Sequence, residues 1–155
     1  MRHEDPYAYG AENEARFLIL ANSRGPLRPA WFRGIIRASP SIDARGVDML
    51  AKIVLDDNPK IVHVPVELKS SDGGKVHYFE KHPWAAAKKV VVIVIGQRTD
   101  VQLLEHFYAM LGRVHAEGRR YSGFYQWLLS QPLGSNGPAY KKHIRQSRAA
   151  LQAAE

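Results

Sequence analysis

The chain contains no cysteine among its 155 residues. Disulfides, thiolate metal ligands and a cysteine nucleophile are therefore excluded. Its longest apolar run, residues 90–95, is far too short to cross a bilayer, and the first residues carry no apolar signal segment. Seven histidines are present, but none has the His-X-X-X-His spacing of a metal-binding helix. We expect a soluble cytoplasmic protein with no membrane partner.

Length and charge bound the fold and the partner. A chain of this length most simply forms one domain around one core. The 22 lysines and arginines exceed the 15 acidic residues and give a formal net charge of +7. This excess fits a polyanionic partner such as nucleic acid, although many basic proteins bind none.

The predicted elements follow the order helix, three strands, crossover, strand and helix. We expect a helix over 11–22, strands over 31–38, 47–55, 61–69 and 90–95, a partly helical segment over 75–89, and a helix over about 99–116. The last strand is apolar on both faces, which predicts a buried, central place in the sheet. Residues 1–131 should form the α/β domain, and residues 132–155 a linker and a basic C-terminal helix or tail.

Two carboxylates are predicted to face each other in the middle of the chain. Residues 56–59, Asp-Asp-Asn-Pro, are a turn signal between two apolar runs. A hairpin centred on that segment pairs Asp48 with Glu67, at a Cβ separation of roughly 5 Å. Strand alternation places Lys69 on the face of Glu67. Because two such carboxylates repel, the pair needs a cation or a shared proton, and hard oxygen ligands indicate magnesium.

This pattern resembles the PD-(D/E)XK phosphodiesterase superfamily, the restriction-endonuclease-like nucleases. Asp48 would be the motif aspartate, Glu67 the second acidic ligand and Lys69 the motif lysine. The chain departs from the family formula at Val47, where the name has proline. The resemblance covers about residues 8–96. It implies an αβββαβ core, a mixed sheet flanked by helices, followed here by a C-terminal helical extension.

An acidic residue on the first helix is similar to one in the archaeal Holliday-junction resolvases and their bacterial relatives. Glu12 and Glu14 lie two positions apart and point to different faces, so only one can reach the metal. The family helix places a small residue three positions after its glutamate. Because Ala15 follows Glu12 at that distance, Glu12 is preferred, and Glu14 remains the alternative.

The resemblance implies a phosphodiesterase that uses Mg²⁺ or Mn²⁺ to cleave DNA and leaves a 5′-phosphate. The ion, bound by Asp48, Glu67 and the Leu68 carbonyl, would lower the pKa of a bound water, and Glu12 would hold a further water or a second ion. Lys69 would orient the nucleophile. Two alternatives stay open: a nucleic-acid-binding or interaction module of this fold that lacks catalysis, and an enzyme acting on RNA or nucleotides.

Other polar residues are additional candidates around this site. Ser70 and Ser71 follow the motif directly and either donate to a phosphate or turn the chain. Gln97 ends the predicted buried strand, where it could support the ligands. The candidate phosphate contacts, with a solvated helix face as the alternative, are Arg113, Arg119, Arg120, Lys141, Lys142, Arg145 and Arg148.

An apolar segment in the last third is a candidate interface between two copies of the chain. It spans residues 118–133 and contains Tyr121, Phe124, Tyr125, Trp127, Leu128 and Leu129. The resembled resolvases act as homodimers, and an exposed apolar patch would suit that assembly. The alternative is that the segment closes the core of its own chain.

Overall fold

The computed structural model describes residues 6–56 and 58–133, and the side chains of 10–56 and 60–133. This part of the chain is an α/β fold, a four-stranded mixed sheet flanked by helices. No described helix combines the length and apolar character needed to cross a membrane. Most of the predicted C-terminal extension, from residue 134 onward, lies outside the described residues.

The elements follow the predicted order. The strands are β1 (Phe32–Arg37), β2 (Met49–Leu55), β3 (Asn58–Lys69) and β4 (Val91–Val94). The helices are α1 (Pro6–Asn22), α2 (Pro40–Asp43), α3 (Asp72–Lys81), α4 (Trp84–Ala87), α5 (Asp100–Glu117) and α6 (Ser122–Ser130). The short helix α2 was not predicted, because its sequence, Pro-Ser-Ile-Asp, consists mostly of turn-forming residues.

The fourth strand lies at an edge of the sheet, and its predicted central position is wrong. The strand order is β1-β2-β3-β4, with antiparallel β1–β2 and β2–β3 pairs and a parallel β3–β4 pair. Among the described strands, β4 pairs with β3 alone. All four of its residues are buried, since both α3 and α5 contact it. A strand that is apolar on both faces is therefore one whose two faces are covered by helices. The pattern does not indicate how many strands pair with it.

The hairpin of β2 and β3 has the predicted register but not the predicted turn. Met49 pairs with Val66, and the same register continues to Val54. It then shifts, so that Leu55 pairs with Asn58, which already belongs to β3. The turn is therefore shorter than the predicted one, and an irregularity in the ladder restores the predicted pairing over the rest of the hairpin.

Asn22, the last residue of α1, forms two hydrogen bonds with β1. The Asn22 side chain accepts a hydrogen bond from the Ile35 backbone N–H and donates one to the Ile35 carbonyl, both at 2.9 Å. Gly34 adopts a φ of +112° beside it, and a Cβ there would lie 3.0 Å from the Asn22 oxygen. The fixed helix brings Glu14 to Arg37, at the end of β1, with 3.0 Å between the carboxylate and the guanidinium.

Helix α5 closes the core against α1 and β1. It begins with the predicted capping box, in which Thr99 and Gln102 each accept from the other's backbone N–H. Its Phe107 packs edge-on against Phe17 of α1 and Phe32 of β1, with ring centroids 5.1 and 5.6 Å apart. These three rings are buried and join two helices to the sheet.

The apolar segment after α5 packs largely into its own chain. Tyr121, Phe124 and Leu128 are buried, and the Phe124 ring lies 5.7 Å from that of Trp84. Leu129 remains exposed. This burial favours the alternative that the segment closes the core, and a homodimer stays a prediction.

Candidate active site

The predicted site residues lie together at one end of the sheet, where β2 begins and β3 and β4 terminate. Asp48 directly precedes β2, and the antiparallel strand β3 ends beside it with Glu67 and Lys69. Strand β4 runs parallel to β3, so the residues that follow it, including Gln97, lie at the same end of the sheet. The carboxyl ends of parallel strands are where α/β proteins usually bind their ligands.

The two acidic residues are each bonded to the strand of the other. A Glu67 carboxylate oxygen, Oε2, accepts from the Asp48 backbone N–H at 3.1 Å, and Asp48 Oδ2 accepts from the Leu68 backbone N–H at 3.4 Å. Asp48 is 5% exposed and Glu67 3% exposed. Carboxylates buried to this degree need compensating hydrogen bonds and positive charge. The predicted cross-strand neighbours therefore form one reciprocal unit.

Lys69 provides positive charge at this pair. Its ammonium Nζ lies 3.1 Å from the other carboxylate oxygen of Glu67, Oε1, and its side chain is 31% exposed. Two buried carboxylates that repel each other share a proton or, when both are ionised, attract a cation beyond the Lys69 ammonium.

Among the residues that the structure describes, no third acidic ligand joins the pair. In the described ranges, no group of three or more His, Asp or Glu side chains is arranged to hold a metal ion. Glu12 is exposed on α1, whereas Glu14 lies partly buried against Arg37. Arg37 pairs with Met49, the residue after Asp48. Of the two alternatives on the helix, Glu14 is therefore the one that contacts the strand end next to Asp48.

Helix α3 brings two rings to the site that the sequence analysis did not predict. The buried Tyr78 hydroxyl donates to the Gly46 carbonyl at 2.6 Å, and the Lys69 ammonium lies 5.3 Å from the centre of the Tyr78 ring. His82 follows one helical turn later, with 4.9 Å between the ring centres. Their spacing of four residues was the only signal in the sequence, and it is common on any helix.

The surroundings fix the protonation of both rings. Burial raises the pKa of Tyr78 well above its ordinary value, and the charges of Glu67 and Asp48 raise this pKa further. The hydroxyl therefore stays protonated and keeps its role as donor. Burial, followed by the charge of Lys69, lowers the pKa of His82 to about 4. His82 is thus neutral near pH 7.

Gly46 allows this cluster to close. Its φ is +102°, a backbone conformation that L side chains rarely adopt. A Cβ at this position would lie only 2.9 Å from two atoms of the His82 ring. Only glycine fits here without displacing the buried imidazole, and Asp48 follows two residues later.

An open cleft of about 830 Å³ adjoins the site at the ends of β3 and β4. Its lining residues are Ser70, Ser71, Asp72, Val94, Gly96, Gln97, Arg98 and Gln102. Ser71 caps α3 by accepting from a backbone N–H in the first turn, so its side chain turns the chain. Ser70 and Gln97 are exposed in the cleft. Arg98 donates to the Val94 carbonyl at 2.6 Å, which anchors its guanidinium at the cleft wall.

The predicted phosphate-contacting arginines lie towards the opposite end of the sheet. Helix α5 has 18 residues and starts at the cleft, so its ends are roughly 27 Å apart. Near its C-terminal end, His115 approaches the Val54 carbonyl to 3.1 Å, beside the hairpin turn. Arg119 and Arg120 follow that end, and Arg113 lies on the last turns of the helix. Lys141, Lys142, Arg145 and Arg148 are outside the described residues.

Comparison with known proteins adds no relative to this geometry. No protein-family model, no curated protein and no solved structure matches the chain.

Proposed function

We propose that the protein is a divalent-metal-dependent phosphodiesterase that cleaves DNA. The observation that carries the proposal is the reciprocal bonding of Asp48 and Glu67, with the Lys69 ammonium 3.1 Å from Glu67. The order of the described elements is compatible with a restriction-endonuclease-like core, in which these three residues would be the Asp and the Glu-X-Lys of the motif.

The donor atoms of the pair fit Mg²⁺ or Mn²⁺. Carboxylate and carbonyl oxygens are the hard ligands that these ions prefer, and Mg²⁺ keeps several waters when only one or two carboxylates bind it. The Leu68 carbonyl is a further donor, because a strand residue directs its N–H and C=O to the same side and the Leu68 N–H points at Asp48. When bound, the ion would polarise the phosphoryl group and lower the pKa of the attacking water.

Lys69 is the residue that would act on the reacting groups. An ion at the pair takes over the charge balance of Glu67, which releases the ammonium from its contact with Oε1. The partly exposed side chain can then donate to the attacking water or to a phosphoryl oxygen and stabilise the charge that develops in the transition state.

The cleft would receive the nucleotide beside the scissile phosphate. Its volume of about 830 Å³ exceeds that of one nucleotide, and it begins at Ser70, the residue after Lys69. Arg98 and Ser70 supply donors for a phosphate, and Gln97 supplies an amide. The net charge of +7 supports a polyanionic substrate.

A nucleic-acid-binding module without catalysis is the second candidate. The observation that favours it is that no described acidic or histidine side chain joins Asp48 and Glu67 as a third ligand. Such a protein would bind DNA or RNA through its basic surface and leave it intact.

The proposal is tested on a panel of linear, nicked, branched and single-stranded DNA, with matching RNA, in Mg²⁺ and in EDTA. We expect metal-dependent cleavage that leaves 5′-phosphates. Glu67→Gln and Asp48→Asn should each lower kcat at least about 100-fold. Both variants should fold, because removing one of two repelling charges does not destabilise the protein without metal. Glu80→Gln, an exposed change on α3, is the matched control and should leave cleavage unaltered.

Lys69→Met separates metal binding from turnover. We expect calorimetric Mn²⁺ affinity to stay the same or to rise, because the competing ammonium is gone, while kcat falls at least about 100-fold. Unchanged Mn²⁺ affinity in both acidic variants would falsify the site. Salt-sensitive binding of nucleic acid by a wild-type protein that cleaves no member of the panel would favour the module without catalysis.

A further inference from the structure

We infer that Tyr78 is a positioning residue for this site: its hydroxyl holds the segment that carries Asp48, and its ring supports the Lys69 ammonium. The inference rests on the proposed function and deepens it. Tyr78 lies on α3, a separate element from the two strands that carry the acidic pair.

The hydroxyl acts on the segment that leads into β2. It donates at 2.6 Å to the carbonyl of Gly46, and only the buried Val47 separates that residue from Asp48. On the far side of Asp48, the ladder of β2 holds the backbone. The aspartate is thus fixed from both sides, by strand pairing after it and by the Tyr78 hydroxyl before it. Loss of the hydroxyl leaves the Gly46 carbonyl buried without this partner.

The ring acts on the lysine. The Lys69 ammonium lies 5.3 Å from the Tyr78 ring centre and 3.1 Å from Glu67 Oε1, so the same charge contacts a π face and a carboxylate. When an ion takes the charge of Glu67, the ring face still attracts the ammonium. Tyr78 therefore keeps Lys69 beside the pair, where otherwise the freed side chain would extend into solvent.

Packing fixes the orientation of the Tyr78 ring. The His82 ring lies 4.9 Å from it, and the Trp84 ring lies 5.4 Å from that of His82. His82 in turn occupies the space that a side chain at position 46 would need. The ring orientation thus directs the Tyr78 hydroxyl at the Gly46 carbonyl and the ring face at the Lys69 ammonium.

A second tyrosine provides a matched control. Tyr125 also donates its hydroxyl at 2.6 Å to a backbone carbonyl, that of His63. His63 lies on the same strand as Glu67 but four residues earlier, roughly 13 Å along β3. Tyr125→Phe therefore removes a bond of the same kind and length at a distance from the site.

The experiment compares Tyr78→Phe and Tyr125→Phe with the wild-type full chain. Each loses one hydrogen bond of 2.6 Å, buried at Tyr78 and part-buried at Tyr125, so both should lower Tm by a few degrees. We expect only Tyr78→Phe to weaken the Mn²⁺ affinity measured by calorimetry, by about 3- to 10-fold. At saturating Mn²⁺ its kcat should remain near that of the wild type, because the ring is still present.

The ring is tested by Tyr78→pentafluorophenylalanine, which keeps the shape of phenylalanine but reverses the charge distribution of the ring face. Relative to Tyr78→Phe, we expect kcat at saturating Mn²⁺ to fall about 10-fold with no further loss of Mn²⁺ affinity. Equal kcat values for these two variants overturn the role of the ring. Equal Mn²⁺ affinities for Tyr78→Phe and Tyr125→Phe overturn the role of the hydroxyl. A wild-type protein that binds no Mn²⁺ overturns the proposed function as well.

Discussion

At the residue scale, the two oxygens of Glu67 have different partners. Oε1 contacts the Lys69 ammonium, and Oε2 accepts from the Asp48 backbone N–H. A glutamine at this position can preserve the second contact, which needs only an acceptor, but its neutral amide loses the ion pair. The position is therefore one where charge can be removed while shape is kept. Variants at Glu67 report on charge more directly than variants that truncate the side chain.

The lowered pKa of His82 predicts how stability depends on pH. The folded state holds this pKa at about 4, chiefly through burial, against 6.5 for the free side chain. The unfolded state thus binds the proton more tightly. The contribution of His82 to the free energy of unfolding is therefore at its maximum above about pH 6.5, and it decreases as the pH drops to about 4. We expect a shallower fall in His82→Gln, measured by urea unfolding at several values between about pH 7 and pH 4.5.

The control for this pH effect is His77→Gln, a change at an exposed histidine of α3, the helix that ends directly before His82. It should follow the wild-type curve. A wild-type slope that persists in His82→Gln but is lost in His77→Gln would show that the buried ring is not the group that titrates.

At the element scale, the sequence predicted what depends on local patterning. Apolar runs and a turn signal were enough for β2 and β3, and a hairpin centred on that signal paired Asp48 with Glu67, a register that the ladder reaches through its irregularity. The edge position of β4, the irregularity of the ladder and the contacts of Tyr78 depend on which elements meet in space. The hydrophobic periodicity of a sequence does not indicate contacts between distant elements, so these features could not be predicted from one chain.

The loop that enters β2 has a strict requirement for glycine. In Gly46→Ala, the added Cβ meets the His82 ring at 2.9 Å while the backbone keeps a φ of +102°, so we expect the free energy of unfolding to fall by about 1–3 kcal/mol. Gly123→Ala is the matched change, because its Cβ would meet nothing within 4 Å and it lies within α6. It should be neutral or stabilise by about 0.5–1 kcal/mol.

Urea unfolding of the two alanine variants checks this prediction. Equal stability of both would contradict the described backbone at Gly46. A restored stability in Gly46→Ala combined with a smaller residue at His82 would confirm that the clash, and not the backbone conformation alone, causes the loss.

At the scale of the whole molecule, positive charge lies at both ends of α5. Arg98 stands at the cleft by its start, and Arg119 and Arg120 follow its C-terminal end, roughly 27 Å away. The proposed site lies at the cleft end. The affinity for a short nucleic acid bound at the site should therefore depend on Arg98. Only a longer nucleic acid can contact the arginines at both ends of α5.

The salt dependence of binding distinguishes these two regions. If about four to six phosphates are contacted, the affinity for a duplex should fall by orders of magnitude between low and moderate salt. For an oligonucleotide of a few nucleotides, Arg98→Gln should reduce the slope of log Kd against log salt by about 1, and Arg119→Gln should leave the slope unchanged. Fluorescence anisotropy over a salt series measures both. The reverse order of the two effects would place the binding surface at the hairpin end.

The shift in pairing between Val54 and Leu55 has a consequence for insertions and deletions. Asp48 and Glu67 meet only while the register between them and the turn is kept, over roughly 20 Å of ladder. An inserted residue inside that stretch of β2 would move every side chain before it to the other face and remove Asp48 from Glu67. A change of length at the turn itself can be absorbed by the irregular pairing next to it. The tip of the hairpin is therefore where this chain can vary in length without disturbing a site at the opposite end of the sheet.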